Sequence, residues 1–131
     1  MKGTRICLTL QQLQHMGSLD SKLRQVVEDL MDVWPAKNMV ITSIYRTPEE
    51  DAALGASGIH SCDPHRAIDI RITNLSGGQE KADEVAGVIN SIWQYDPNRT
   101  NLKVAVSKLH GSGPHLHVQV HNKTKRNLLL N

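Results

Sequence analysis

Leu19, Leu23, Val26, Val27, Leu30 and Met31 recur at intervals of three and four and Pro35 breaks the pattern, so the spacing predicts an amphipathic helix over 18–33 capped by Ser18. The run Met39, Val40, Ile41, Thr42, Ser43, Ile44, Tyr45 is β-branched and too short for a good helix, and it predicts a strand. In Thr47-Pro48-Glu49-Glu50 a capping threonine precedes a proline at the first helical position and a glutamate that closes a capping box, giving a short helix that ends at Gly55. Gly, Ser, Asp, Pro and His dominate residues 56–66, which predicts a loop. From Ala67 to Ile72 the chain alternates, with Asp69 and Arg71 on one face of a strand and Ile68, Ile70 and Ile72 on the other.

A second capping pattern, Ser76-Gly77-Gly78-Gln79, opens a helix along which Ala82, Val85, Ala86, Ile89, Ile92 and Trp93 form one apolar stripe, and Asp96-Pro97-Asn98 ends it. Leu102, Val104 and Val106 alternate with Lys103, Ala105 and Ser107 in a third strand. After a loop at Gly111-Ser112-Gly113-Pro114, a fourth strand carries His115, His117, Gln119 and His121 on one face and Leu116, Val118 and Val120 on the other. The tail from Asn122 has no clear period, and the chain shows no internal repeat or linker. This order predicts an α+β fold, with helices packed on a small, mostly antiparallel sheet, as one domain over 1–131.

Composition narrows the function. With 15 basic and 13 acidic side chains, a net charge of +2 and only four aromatics (Trp34, Tyr45, Trp93, Tyr95), the chain lacks the features of an electrostatic nucleic-acid binder or a base-stacking reader. No stretch approaches the ~20 apolar residues of a membrane span, and the early run at Ile6 to Leu10 is too short for a signal-peptide core. The expectation is synthesis in the cytoplasm without a signal peptide, and no membrane or nucleic-acid partner. Cys7 and Cys62 match neither a disulfide framework nor a zinc knuckle, so reduced thiols are expected. Seven histidines are the departure from an ordinary domain.

Two of them, His115 and His117, stand about 6.5–7 Å apart on one strand face, close enough to serve one metal ion or an ion and its reacting water. A polar sheet face explains the pair equally well on its own. Asp69 adds a carboxylate flanked by Ile68 and Ile70, which must be paired, with Arg71 the local choice, or bound to a metal to offset its desolvation. His60 lies in the loop just upstream, within reach of the start of that strand.

Ser43-Ile44-Tyr45-Arg46, then Ser57-Gly58-Ile59-His60 leading to Arg66-Ala67-Ile68-Asp69-Ile70-Arg71, then Gly113-Pro114-His115-Leu116-His117-Val118-Gln119-Val120 together resemble a known family. It is the zinc-dependent D-Ala-D-Ala metallopeptidase group, which includes the VanX and VanY peptidases, penicillin-insensitive murein endopeptidase and several phage endolysins. The resemblance spans about residues 40–121 and implies zinc held by His60, Asp69 and His117, with a fourth position for water, as in catalytic sites. Here His60 precedes Asp69 by nine positions where the family pattern has seven, because Cys62-Asp63-Pro64-His65 lengthens the loop. His65 and Cys62 are therefore rivals of His60. Pro114 occupies the place where many members carry an acidic general base, and the murein-endopeptidase branch implies that role for His115, which would otherwise orient His117. Arg46 is implied to bind substrate carbonyl or carboxylate oxygens, with Ser43 and Tyr45 beside it. His110, His121 and Asp63 read as surface residues, and His15 as incidental.

The function implied is a zinc peptidase, endopeptidase or carboxypeptidase, that hydrolyses a bond in the stem peptides or cross-links of bacterial peptidoglycan. Its expected setting is a phage lysis protein or virion-associated murein hydrolase, acting as a monomer at the cell wall after release or carried in a virion. The alternatives are a non-catalytic zinc-binding module of the same fold, which the proline at 114 would suit, and a metal hydrolase of a small amide or ester.

Overall fold

A computed structural model of the chain describes residues 4–44, 65–108 and 114–127. In chain order its elements are β1 (Arg5–Cys7), α1 (Leu10–Met16), α2 (Ser21–Val33), β2 (Asn38–Ser43), β3 (Ala67–Arg71), α3 (Gly78–Ile92), β4 (Trp93–Gln94), β5 (Ala105–Lys108), β6 (His115–Gln119) and β7 (Lys125–Arg126). A five-stranded sheet runs β1-β2-β3-β6-β5, and β4 pairs with β7 separately. Among the described strands only the β1–β2 pairing is parallel, so the fold is α+β on a mostly antiparallel sheet, as the hydrophobic pattern predicts.

Alternation decides which face the helices cover. Ile70 pairs with Ile41 and Leu116, and Val118 with Ile68 and Ala105, and all of these side chains are buried. Ser107, opposite Leu116, hydrogen-bonds Asp83 of α3, while Asn90 of α3 donates to Ala105 O at 2.8 Å and accepts from Ala105 N at 2.9 Å. Helix α3 therefore lies on the isoleucine face, and Ala82, Val85, Ala86 and Ile89 bury its predicted stripe. Helix α2 packs beside it through Leu23, Val26, Val27 and Leu30. Burying one such aliphatic side chain contributes about 1.5–3 kcal/mol, so this layer dominates the stability of the fold.

Several local expectations are corrected. Helix α2 begins at Ser21 and is capped by Asp20, whose carboxylate accepts from Lys22 N at 2.9 Å, rather than by Ser18. Residues 18–20 are instead bridged to His65: Ser18 O accepts from His65 N and His65 O from Asp20 N, both at 2.8 Å. Ser76 does not cap α3. Gly77 holds the N-cap position with φ +92°, a left-handed conformation that glycine alone adopts cheaply, and no side chain caps the helix. Gln79 turns instead to Asp83 at 3.1 Å.

Helix α3 ends at Ile92, ahead of Asp96, because Trp93 and Gln94 pair with Arg126 and Lys125 in the tail that showed no period. The elements β1 and α1 also escape the pattern. Helix α1 buries no residue and so has no stripe, although its capping box, Thr9 to Gln12, is written in the sequence. Of the predicted strand over 39–45, Met39 to Ser43 lie in β2, with a bulge between Ile41 and Ser43, Ile44 follows the strand and Tyr45 lies outside the described residues. The helix expected over 47–55, most of the loop over 56–66 and the loop at 111–113 lie outside the described residues. Cys7 is a free thiol, and among the described residues no helix is long and apolar enough to cross a membrane.

Candidate metal and catalytic site

Strands β3 and β6 run side by side within the sheet, with Asp69 opposite His117 and Arg71 opposite His115. Directly opposed residues share a face, so Ser43, Asp69, His117 and Val106 form one row across β2, β3, β6 and β5, on the side away from α3. Asp69 and Arg71 on β3 and His115, His117 and Gln119 on β6 share the predicted polar face, whereas His121, predicted to share it, lies past the end of the strand.

The middle of this polar face is buried, while Ser43 and Val106 at its ends are half-buried. Asp69 is 4% exposed, His117 6% and His115 9%. His117 Nδ1 lies 2.9 Å from Asp69 Oδ1, and His115 Nε2 lies 3.7 Å from the same oxygen. A carboxylate taken out of water costs several kcal/mol unless it is paired, and the imidazoles of β6 are partners it meets here. Arg71, the nearer candidate in the sequence, is exposed at the end of β3, and no ion pair between it and Asp69 occurs among the described contacts.

The far side of His117 is also engaged. Its Nε2 lies 3.1 Å from Gln119 Oε1, and Gln119 Nε2 donates to Lys103 O at 3.0 Å. Gln119 shares the predicted face, but nothing in the alternation tells that its amide bonds to the histidine two residues away.

His65 pairs with a histidine of α1. It is buried, its Nε2 lies 3.1 Å from His15 Nδ1, and the rings meet edge to face at 5.0 Å between centroids. His15, read as incidental from the sequence, is thus the residue that joins α1 to the approach to β3. His121 lies just past the end of β6, where its Nδ1 accepts from Lys123 N at 3.3 Å and its ring tilts against Tyr95. Pro114 is exposed at the start of β6. Ser43 is half-buried at the end of β2, whereas Tyr45, Arg46, His60, Cys62, Asp63 and His110 lie outside the described residues.

A carboxylate oxygen and imidazole nitrogens are a donor set that suits zinc. Two atoms bound at zinc distances to one tetrahedral ion stand roughly 3.3 Å apart, and the two imidazole approaches to Asp69 Oδ1, 2.9 Å and 3.7 Å, fall on either side of that value. The residues present therefore fit part of a zinc site. Among the described residues no group of three or more His, Cys, Asp or Glu side chains is placed to hold a metal ion. The expected third ligand, His60, is not among them.

Comparison of the chain with protein-family models, with curated proteins and with solved structures finds no match to any of them.

Proposed function

We propose that the protein is a zinc-dependent peptidase of the D-Ala-D-Ala metallopeptidase type, hydrolysing a peptide bond in peptidoglycan stem peptides or cross-links. The observation that carries this reading is the buried Asp69 carboxylate with two imidazoles from the adjacent strand at 2.9 Å and 3.7 Å. Its position in β3 and theirs in β6 match the order of the motifs that resemble the family.

Asp69 and His117, with His60 from the preceding loop, would hold the ion. Zinc so held would supply Lewis-acid polarisation of the scissile carbonyl and of the attacking water. His115, beside Asp69 but not needed as a ligand, takes the proton of that water and returns it to the leaving amine. Arg46 donates from its guanidinium to the carbonyl oxygen as negative charge develops there. Ser43, in the same row as Asp69, and Tyr45 position the substrate beside Arg46. The proposed setting is phage lysis or a virion-borne murein hydrolase.

Mass spectrometry of purified peptidoglycan after incubation with zinc-loaded protein tests the proposal. New amino and carboxyl termini at one peptide bond, with intact glycan, are expected. A protein that binds zinc but releases no such fragment from any muropeptide is a binding module instead.

A further inference from the structure

Gln119 sits between a backbone carbonyl and a histidine, and the carbonyl decides which way its amide faces. Lys103 O is an acceptor only, so the end of the amide 3.0 Å from it is the NH2 group. The other end, 3.1 Å from His117 Nε2, is then the amide oxygen, again an acceptor. Two acceptors do not hydrogen-bond, so His117 meets Gln119 with a proton on Nε2. The Gln119 backbone N–H donates to Val104 O at 2.8 Å, so main chain and side chain are tied to the same neighbouring segment.

The consequence falls on the opposite nitrogen. With its proton on Nε2, a neutral His117 directs the Nδ1 lone pair at Asp69 Oδ1, 2.9 Å away. A lone pair and a carboxylate at that distance repel unless a proton or a cation lies between them. The other neutral tautomer would satisfy Asp69 but set the bare Nε2 against the Gln119 oxygen. No neutral tautomer suits both neighbours, whereas an imidazolium or a cation shared by Nδ1 and Oδ1 does, and in either case Nε2 keeps its proton.

We infer that Gln119 is a positioning residue: anchored by Lys103 O, it keeps the His117 proton on Nε2 and presents Nδ1, beside Asp69, to a divalent cation. The cation in this inference rests on the zinc reading above, whereas the placement of the proton does not. Such outer hydrogen bonds to a ligating histidine fix its ring and tautomer, and losing one typically weakens metal affinity by about 10–100-fold.

The test uses the full chain with 15N-labelled histidine, read by long-range 1H–15N spectra with and without zinc, together with zinc titration against a competing chelator. In the wild type Nε2 should carry a proton in both states, and added zinc should move the Nδ1 resonance. Gln119→Leu removes the acceptor, so the metal-free protein should shift protonation toward Nδ1 and the zinc Kd should rise about 10–100-fold. Gln119→Glu loses the donor to Lys103 O but its carboxylate still accepts from Nε2, so the metal-free protein should keep the proton on Nε2.

A wild type bearing its proton on Nδ1 alone would overturn the inference, and so would a folded Gln119→Leu protein with unchanged zinc affinity. Failure of the wild type to bind zinc would sink the metal reading, while the metal-free spectra would still decide the role of Gln119. Should Gln119→Leu not fold, the wild-type and Gln119→Glu spectra decide the same point.

Discussion

Asp69 and Asp96 are buried almost equally, 4% and 5% exposed, yet they are held by different kinds of partner. Asp96 is satisfied within its own turn: its Oδ1 accepts from Asn98 N at 2.9 Å and its Oδ2 from Arg99 Nε at 2.8 Å. The Asn98 amide first, and the Arg99 guanidinium second, hold its carboxyl below the usual carboxylate range. Neither donor gives up a proton near neutral pH. Asp69 meets imidazoles brought from another strand, and imidazole is the side chain that both ligates metals and moves protons near neutrality. Burial of a carboxylate is therefore no mark of function by itself, and the two aspartates differ in the chemistry of their partners.

The sharpest way to break this comparison is to truncate each carboxylate in turn. Asp69→Ala and His117→Ala should each abolish stoichiometric zinc binding, measured by metal analysis after dialysis, and with it turnover on muropeptides. Asp96→Ala should leave zinc content and turnover per folded molecule unchanged. Zinc retained in full by both Asp69→Ala and His117→Ala would put the metal elsewhere.

His115 separates catalysis from binding. His115→Ala should keep one zinc per chain, since His60, Asp69 and His117 remain, while turnover falls about 10²–10⁴-fold, the usual loss for a positioned acid–base group. Loss of zinc in this variant would make His115 a ligand, a result its 3.7 Å approach to Asp69 makes worth measuring.

A third experiment addresses the other side of the same strand. Ile70 is fully buried between Ile41 and Leu116, so Ile70→Ala should cost about 2–5 kcal/mol in denaturant unfolding while the zinc content of the folded protein stays at one per chain. An equal loss of zinc at temperatures where the variant is folded would show that the two faces of β3 are coupled rather than independent.

The alternation at Asp69 and His117 made both faces of β3 and β6 legible, because a period of two assigns faces without knowledge of the neighbouring strand. The order of strands was not legible: that Asp69 lies opposite His117 depends on the β3–β6 register, which sequence spacing alone does not determine. Nor was the His15–His65 contact, which joins residues 50 positions apart through backbone bonds at Ser18 and Asp20. Strands β4 and β7 are too short to show a period, and Arg126 is held there by Asp29 at 2.7 Å and by the Trp93 ring rather than by any pattern of its own. Helix α1 is legible in its capping box alone, because with no buried residue it writes no apolar stripe into the sequence.

The smallest expected effect isolates the charge of Asp96. Asp96→Asn keeps an oxygen for the Asn98 amide and gives up the contact with Arg99, whose Nε–H then meets an NH2 and whose side chain is 47% exposed. Ion pairs so open to solvent contribute little, so the melting temperature at neutral pH should drop only slightly. Its pH dependence identifies it. Because the folded carboxyl titrates below its unfolded value of 3.8, the charge stabilises the fold above that pH, and the contribution disappears as pH falls through the lower, folded value. The gap between wild type and Asp96→Asn should hold steady from pH 7 down to about pH 5 and close in more acid solution, read by thermal denaturation at fixed ionic strength. A gap that persisted unchanged below about pH 3 would mean that the amide perturbs the turn itself, and that Asp96 is held by shape rather than by charge.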